Sequence, residues 1–309
     1  MQLFSALVGA AVLLATQVTA HMQLDYPAPF NASKNAYRKT AADPYLQYPY
    51  DCCGPNDRWQ YPCRGYHKLL GTPQGAPTAT WVAGSTANFN ISGIGNHFGG
   101  SCQVGFSTDD GDTFRVATSY EGNCPHRDNG DGPDGQDFTF AVPKDIDTGV
   151  QLFAWIWYNR EQEMNMNCAA VKIVAPTNAA SNPTASNTAT ASPPEASTQT
   201  YQTVNGCTCH CESPVNITTC SCADCKGPSS KSRDVAFNSR PLMFVADNGN
   251  DCLTPHTTAE LKYPDPGPDV VTGDGAYPLE PPTGACTPEE QLAKQAYDGN
   301  TGNDGHMGA

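Results

Sequence analysis

Basic side chains are scarce in this chain of 309 residues, in which 17 Lys and Arg stand against 31 Asp and Glu. The formal net charge is −14 at pH 7. Proteins that bind a nucleic-acid backbone use clusters of Lys and Arg, so this balance argues against a nucleic-acid partner. Only 16% of the residues are charged, which suits a protein that meets neutral ligands such as wall polymers.

Long helical patterns are also missing, since apolar residues show no sustained 3.6-residue or heptad spacing. The 28 Gly and 26 Pro favour turns and strands instead. The prediction is a mostly β protein with a β-sandwich architecture. The segment 150–158 is apolar at nearly every position and is therefore expected to be buried on both faces. The predicted strands of the sandwich are 80–83, 87–91, 101–107, 138–142, 150–158 and 169–174.

The apolar run at 3–14 is too short for a membrane-spanning helix, which needs roughly 20 residues. It has the length of a signal-peptide core, although no Lys or Arg precedes it. Val18-Thr19-Ala20 has the small-x-small form that signal peptidase cuts after. The expectation is a signal peptide over 1–20, secretion, and a mature chain that begins at His21. A hydrophobic C-terminal tail is lacking, so a glycolipid anchor is not expected.

Fourteen cysteines behind a signal peptide predict disulfides formed in an oxidising compartment. They fall into three even groups, so each segment is expected to close its own bridges. Sequons at Asn31, Asn90 and Asn216 are consistent with a secreted glycoprotein. The groups are Cys52, Cys53, Cys63, Cys102, Cys124 and Cys168; then Cys207, Cys209, Cys211, Cys220, Cys222 and Cys225; then Cys252 and Cys286.

Composition divides the mature chain into a β domain at 21–175 and smaller C-terminal parts. Within the β domain, 34–66 is expected to be a long surface loop held by disulfides. The acidic turn at 128–135 resembles a calcium loop only superficially, because its spacing differs from the helix-loop-helix calcium pattern. Turn-forming Asp and Gly account for it without a metal.

The C-terminal parts begin with a disordered Ser/Thr/Pro-rich linker at 176–203. In the six-cysteine segment, 204–227, three disulfides are favoured over thiolate metal binding, with His210 as a surface residue. A small module at 228–288 is expected to contain a strand at 242–246 and a bridge between Cys252 and Cys286. Residues 289–309 are predicted to form a flexible tail.

The junction at His21 carries the chemical hypothesis. A histidine at a new N-terminus offers both an α-amine and an imidazole, and a third neutral nitrogen would complete the T-shaped or square-planar set that copper prefers. His97 is the best candidate, because glycines around it leave room for a metal and a ligand. His67 and His126 are interpreted as ordinary surface histidines. In the alternative reading, His21 merely marks the end of the signal, and the protein is a wall glycoprotein without a metal.

Five motifs follow one another along the chain. They are His21-Met22, His97-Phe98-Gly99-Gly100-Ser101-Cys102-Gln103, Gly122-Asn123-Cys124-Pro125, Ala154-Trp155-Ile156-Trp157-Tyr158-Asn159, and Glu163-Met164-Asn165-Met166-Asn167-Cys168-Ala169-Ala170. Together and in this order they make the chain resemble the fungal lytic polysaccharide monooxygenases of auxiliary-activity family eleven. The resemblance covers roughly 21–175. The segment 240–271 is also similar to a C-terminal module that some members carry and that is thought to bind chitin, whereas the six-cysteine segment has no such counterpart.

The resemblance implies an immunoglobulin-like or fibronectin-like β-sandwich that holds one copper ion, Cu²⁺ or Cu⁺, between His21 and His97. It implies that Glu163 is the acid beside the metal, able to donate or hold a proton. The implied reaction is oxidation at the sugar C1 that breaks the β-1,4 links of crystalline chitin, with electrons from an external donor. A monomer without a membrane or nucleic-acid partner is expected.

One residue departs from the family pattern. Members carry a tyrosine in the axial place of the metal, and this chain has Asn165 there. On a strand Asn165 shares a face with Glu163 and Asn167, so it is expected to point toward the metal side. An amide cannot be oxidised as a phenol can, which leaves a non-catalytic copper-binding protein of the fungal cell surface as the alternative function.

Overall fold

The computed structural model describes residues 21–176 and 235–287 in full, together with the backbone of three strands between them. These residues form two compact units, one containing 21–176 with 235–287 and the other lying within 177–234. The second unit is an antiparallel sheet in the order β11-β10-β9, formed by β9 (Thr200–Val204), β10 (Cys207–Glu212) and β11 (Thr219–Ala223). Strand β9 begins inside the range predicted for the linker.

The described residues of the first unit form two larger sheets and two pairs of short strands, β12-β16 and β13-β15. The smaller sheet has the order β1-β3-β6 and is antiparallel throughout. The larger sheet has the order β14-β5-β4-β7-β8-β2, with parallel pairs at both edges. The strands are β1 (Met22–Tyr26), β2 (Ala79–Val82), β3 (Thr86–Gly93), β4 (Ser101–Ser107), β5 (Arg115–Glu121), β6 (Asp137–Ala141), β7 (Gly149–Tyr158), β8 (Met164–Val174) and β14 (Val270–Thr272).

An aromatic core joins the two sheets face to face. Phe89 and Phe140 project from the smaller sheet, and Trp81 and Phe153 project from the larger one. The ring centroids of Trp81 and Phe140 are 5.2 Å apart, and those of Phe140 and Phe153 are 5.5 Å apart. Such contacts bury large apolar areas between sheets. The predicted mostly β sandwich is confirmed.

Strand β7 has buried side chains on both faces, as its sequence predicts. Phe153 and Trp155 lie in the core between the sheets, whereas Ala154 and Ile156 lie in a second core on the opposite face. A sandwich partner covers only one face of a sheet, so the second face needs another layer. The long loop and the C-terminal segment provide it.

The loop from 27 to 78 joins β1 to β2 and contains three short 3-10 turns, at Pro55–Asp57, Cys63–Leu69 and Pro73–Gly75. The Cys63–Cys168 disulfide ties it to β8, and the backbone N–H of Tyr50 donates to the carbonyl of Met164 at 2.8 Å. The prediction of a long disulfide-held loop over 34–66 is confirmed.

The cysteines of the sandwich pair among themselves, as their even number predicts. The bridges are Cys52–Cys53, Cys63–Cys168 and Cys102–Cys124. The predicted Cys252–Cys286 bridge is also present. The pairing predicted for the six-cysteine segment, the signal peptide, the remainder of the linker and the tail lie outside the described residues.

The C-terminal segment, 235–287, differs from the expected separate module because its described residues belong to the same compact unit as the sandwich. The Tyr158 hydroxyl of β7 donates to the carbonyl of Phe244 at 2.7 Å and accepts from the N–H of Ala246. The exposed second face of the larger sheet explains this packing. The segment contains a 3-10 turn, Phe237–Ser239, and the short strands β12 (Cys252–Leu253), β13 (Glu260–Leu261), β15 (Leu279–Glu280) and β16 (Thr283–Gly284).

The strand expected at 242–246 does not form. Leu242 makes one isolated bridge to Arg115, and the N–H of Met243 donates to the carbonyl of Phe114. The edge position beside β5 is instead taken by β14. Chitin binding by this segment stays a prediction. Among the described residues, no helix has the length and apolar character required to cross a membrane.

Candidate functional site

His21 directly precedes β1, and the smaller sheet fixes its backbone. The carbonyl of His21 accepts a hydrogen bond from the N–H of Ile94 at 2.9 Å, and Met22 is paired with Gly93 of β3. A Cβ at Gly93 would lie 1.8 Å from the His21 carbonyl oxygen. Only glycine permits this close approach of β3 to the first residue of the predicted mature chain.

Asn167 fixes β1 from the side of the larger sheet. Its side-chain oxygen accepts from the N–H of Leu24 at 2.8 Å, and its side-chain nitrogen donates to the carbonyl of Leu46 at 3.0 Å. The residue is 2% exposed, so these bonds act away from competing water. Asn167, a residue of β8, therefore binds both to β1, the strand that follows His21, and to the long loop.

His97 lies in the turn between β3 and β4, in an unusual backbone conformation. His97 and Phe98 have φ angles of 47° and 57°, and Gly99 and Gly100 continue with 107° and 116°. Residues other than glycine rarely adopt positive φ. The indole N–H of Trp157 donates to the carbonyl of Gly99 at 3.1 Å, which helps to hold the turn against β7.

The structure brings the imidazoles of His21 and His97 together across 76 positions of sequence. Their ring centroids are 6.3 Å apart and their planes differ by 12°. Two bonds of about 2 Å from a metal to imidazole nitrogens, added to the two ring radii, span about that separation. The ring separation is thus the one expected if both imidazoles bind a single metal ion, and the ligand roles of His21 and His97 stay a prediction.

Two carboxylates lie on either side of the His97 ring. Oε2 of Glu161 is 3.3 Å from Nδ1, and Oε2 of Glu163 is 3.5 Å from Nε2. Asn159 orders both, because its side-chain oxygen accepts from their backbone N–H groups and its side-chain nitrogen donates to Glu163 Oε2 at 2.6 Å. His97, Glu161 and Glu163 together offer donor atoms close enough to share a metal. Sequence reasoning missed Glu161, although its spacing of two residues from Glu163 was a usable signal.

Asn165 is 2% exposed and faces the long loop. With its nitrogen oriented to satisfy the hydrogen-bonding network, its side chain donates to the carbonyl oxygens of Gln47 and Tyr48 at 3.2 and 3.3 Å. It shares this face of β8 with Asn167, while Met164 lies in the second core. The predicted alternation along the strand is confirmed, and the axial role of Asn165 stays a prediction.

The loop that Asn165 holds brings aromatic rings to the site. The ring of Tyr48 meets His21 edge-on at 4.2 Å between centroids, and Tyr45 lies 5.7 Å beyond Tyr48. Tyr45 is 46% exposed, and Phe98, which follows His97 directly, is 65% exposed. Exposed aromatic side chains therefore belong both to the long loop beside His21 and to the turn that carries His97.

The other two candidate histidines lie elsewhere. His126 stacks on Phe138 with 4.4 Å between ring centroids. Nδ1 of His67 lies 3.2 Å from the carbonyl oxygen of Pro62. The acidic turn at 128–135 contacts β3, because the N–H of Gly93 donates to the carbonyl of Asp131.

Comparison with known proteins shows that the chain is similar to fungal lytic polysaccharide monooxygenases. It is 37% identical over 166 residues to AA11 family lytic polysaccharide monooxygenase A of Aspergillus fumigatus, a match that covers 52% of this chain and 68% of that protein. It is 29% identical to AA11 family lytic polysaccharide monooxygenase B of Aspergillus fumigatus, covering 88% and 53%. It is 28% identical to an AA11 family lytic polysaccharide monooxygenase of Aspergillus oryzae, covering 96% and 58%. The chain spans little more than half the length of the last two relatives.

No family model matches the chain. Among solved structures it is similar to an AA10 lytic polysaccharide monooxygenase from Streptomyces lividans, with 12% identity, a TM-score of 0.34 and coverage of 49% of this chain and 99% of that one. It is also similar to a cellulose-active polysaccharide monooxygenase from M. thermophila, with 12% identity, a TM-score of 0.25 and coverage of 31% and 53%.

Proposed function

The chain belongs to the AA11 family of lytic polysaccharide monooxygenases, and from this membership we propose that its mature form is a secreted copper enzyme. The proposed reaction is oxidative cleavage of β-1,4 links in chitin at the sugar C1, with electrons from an external donor. The observation that carries the proposal is the 6.3 Å separation of the near-parallel rings of His21 and His97.

Copper is the metal that the donor set favours. Cleavage after Ala20 would give His21 an α-amine, so one ion would meet that amine and the imidazoles of His21 and His97. Three neutral nitrogens suit copper in either oxidation state. Copper bound there would supply one-electron chemistry with oxygen or peroxide.

Glu161 would orient the His97 ring and fix its tautomer. Its carboxylate lies 3.3 Å from Nδ1, so it can accept a hydrogen bond from Nδ1–H and leave Nε2 with a free electron pair for the metal. Metal-binding histidines commonly have such a carboxylate partner on the second ring nitrogen. Glu161 is therefore proposed to orient His97 rather than to enter the reaction.

Glu163 is proposed to hold or donate a proton beside the metal. Its Oε2 atom lies on the Nε2 side of His97, where the ion would bind, and the Asn159 amide fixes that oxygen at 2.6 Å. Its side chain is 33% exposed, so it also contacts the solvent from which a proton comes. General acids act from such positions within reach of the reacting group.

The surface around the site suits a neutral, ordered polysaccharide. Tyr45 of the long loop and Phe98 of the His97 turn both expose aromatic rings, and aromatic faces can pack against sugar rings. Chitin as the substrate follows from the family resemblance. Secretion follows from the predicted signal peptide over 1–20.

The direct test is incubation of the copper-loaded protein, beginning at His21, with β-chitin and a reductant. We expect oxidised chito-oligosaccharides by mass spectrometry, and we expect none with His97→Ala. The His67→Ala variant is the matched control, because His67 lies beside Gly111, in the turn at the other end of β4 from His97, and it should keep the activity. Bound copper without any oxidised product would contradict the proposed activity.

A non-catalytic copper-binding protein is the second candidate function. It is favoured by Asn165, which stands where a tyrosine occurs in the family and which holds the backbone of Gln47 and Tyr48. This candidate predicts one-to-one copper binding by calorimetry without product on chitin or cellulose.

A further inference from the structure

A carboxylate from the C-terminal segment reaches the turn that carries His97. Oε1 of Glu260 accepts hydrogen bonds from the backbone N–H of Gly100 at 3.0 Å and of Asn123 at 2.9 Å. The side chain of Glu260 is only 1% exposed. A buried carboxylate requires hydrogen-bond partners. Of the two here, Gly100 follows His97 in the turn, and Asn123 directly precedes Cys124 of the Cys102–Cys124 disulfide.

Arg127 adds a second connection between the same parts. Its guanidinium lies 3.1 Å from Glu260 Oε1 and donates to the carbonyl of Phe98 at 2.8 Å. It also donates to both carboxylate oxygens of Asp274, at 2.9 and 2.8 Å. Glu260 and Asp274 both belong to the C-terminal segment. This segment therefore supplies both carboxylates that bind Arg127, and Arg127 in turn donates to the carbonyl of Phe98.

The backbone of the turn needs such support. His97 and Phe98 both have positive φ, a conformation that non-glycine residues keep only where surrounding contacts enforce it. A Cβ at Gly99 would lie 2.5 Å from Glu260 Oε1, which shows how closely the carboxylate fills the space beneath the turn. The polar contacts of Glu260 and Arg127 reach Phe98 and Gly100, immediately beyond His97.

We propose that Glu260 is a positioning residue for the candidate copper site, and that the C-terminal segment is a structural part of that site. This inference rests on the proposed function for the identity of the metal. Loss of the Glu260 charge leaves Arg127 and the N–H groups of Gly100 and Asn123 with a weaker acceptor. The turn is then held less firmly, and the His97 imidazole becomes less fixed opposite His21.

The test compares Glu260→Gln with Glu280→Gln in the full mature protein. Glu280 lies in the same segment and is exposed, so its substitution is a matched control. We expect Glu260→Gln to weaken copper binding by about 10- to 100-fold in calorimetry, as loss of supporting contacts does at other metal sites. Its Cu(II) paramagnetic resonance parameters should also change, while Glu280→Gln remains like wild type.

A measurement without metal separates this inference from the proposed function. In the apo protein, nuclear Overhauser contacts between the rings of His97 and Trp157, whose centroids are 5.6 Å apart, should weaken in Glu260→Gln. Copper binding by wild type that His97→Ala leaves unchanged would contradict the proposed function. Normal copper binding and unchanged ring contacts in a folded Glu260→Gln protein would overturn the positioning role alone.

Asp274→Asn decides the question if Glu260→Gln does not fold. The side chain of Asp274 is 35% exposed. Its substitution by Asn therefore removes the carboxylate charge beside Arg127 near the surface and does not disturb the buried core. We expect a several-fold loss of copper affinity and a change in the nuclear magnetic resonance chemical shifts of the His97 ring in the apo protein. Wild-type values for both quantities would overturn the proposal.

Discussion

The ring of Tyr48 meets the imidazole of His21 edge-on, with 4.2 Å between the two centroids. The contact depends on the long loop, whose backbone at Gln47 and Tyr48 is held by the amide of Asn165. Asn165, for which an axial place at the metal is predicted, thus has a structural role here: it holds the loop that places Tyr48 against His21. Replacement of either residue should therefore affect His21.

Tyr48→Ala should weaken copper binding, because the His21 ring loses the neighbour that restricts its rotation. Tyr48→Phe is the control and should bind copper as wild type does, since edge-on packing needs the ring and not the hydroxyl. Calorimetry with Cu(II) measures the difference, which we expect to be several-fold. Equal affinities of the Ala and Phe variants would show that the ring contact does not hold His21.

Asn165→Tyr should destabilise the protein instead of simply restoring the family's site. The larger side chain must enter a position that is 2% exposed, and the carbonyls of Gln47 and Tyr48 lose their donor. Overpacking and unpaired buried groups each cost about 1–3 kcal/mol. Thermal unfolding followed by circular dichroism should show a Tm lower by several degrees. An unchanged Tm together with higher activity on chitin would contradict this expectation and support a simple restoration.

Gly93→Ala should displace His21. The new methyl group would lie 1.8 Å from the His21 carbonyl oxygen, so β1 must shift or lose its pairing with β3. A loss of stability of about 1–3 kcal/mol is expected, together with weaker copper binding. Gly132→Ala is the control, because a Cβ at Gly132 would meet nothing within 4 Å. Normal copper affinity in Gly93→Ala would show that the position of the His21 backbone tolerates this shift.

Chemistry at the N-terminus predicted the pair of His21 and His97, but the sequence alone did not predict how the pair is held. Glu260 lies 160 positions from Gly100 and 137 from Asn123, and no local pattern connects them. Glu161 is a different case from Glu260. The sequence shows that it lies two residues before Glu163, and only its contact with the His97 ring required the structure.

Contacts between residues far apart in the sequence also limited the prediction of the fold. The apolar sequence of β7 predicted burial on both faces, and that property already required a covering layer. The C-terminal segment was nevertheless expected to be separate, because its two cysteines can close a bridge of their own. Strand β5 (Arg115–Glu121) was missed because its buried side chains are partly polar. Their partners are distant: Gln103 donates to Ser119, and Glu121 accepts from the N–H of Tyr263.

Glu161→Gln and Glu163→Gln should separate binding from reaction. Glu161 contacts Nδ1 of His97 and Glu163 lies toward Nε2. The first substitution should reduce copper affinity several-fold with little effect on turnover of the loaded protein. The second should leave affinity nearly unchanged and lower the rate of product formation by about 10²-fold or more, the contribution of a general acid. Calorimetry and initial rates on chitin distinguish the two, and equal effects on both quantities would refute the division of roles.

Asp274 should make stability depend on pH in the acid range. Hydrogen bonds from Arg127 hold the pKa of Asp274 below its usual value. Because the folded pKa is lower than that of the unfolded chain, about 3.9, the ionised carboxylate stabilises the fold above about pH 4. That contribution is lost as the pH falls through the folded pKa. The charged or titratable neighbours are Arg127 and, beyond it, Glu260 and Tyr277.

The measurement is Tm for wild type and Asp274→Asn from about pH 3 to 7. We expect wild type to have the higher Tm at neutral pH and the difference to shrink as the pH falls below about 4. His126 lines the same surface hollow as Asp274 and is unchanged in both proteins, so the comparison isolates Asp274. A difference that stays constant down to about pH 3 would show that the contact with Arg127 contributes through shape alone and not through the charge of Asp274.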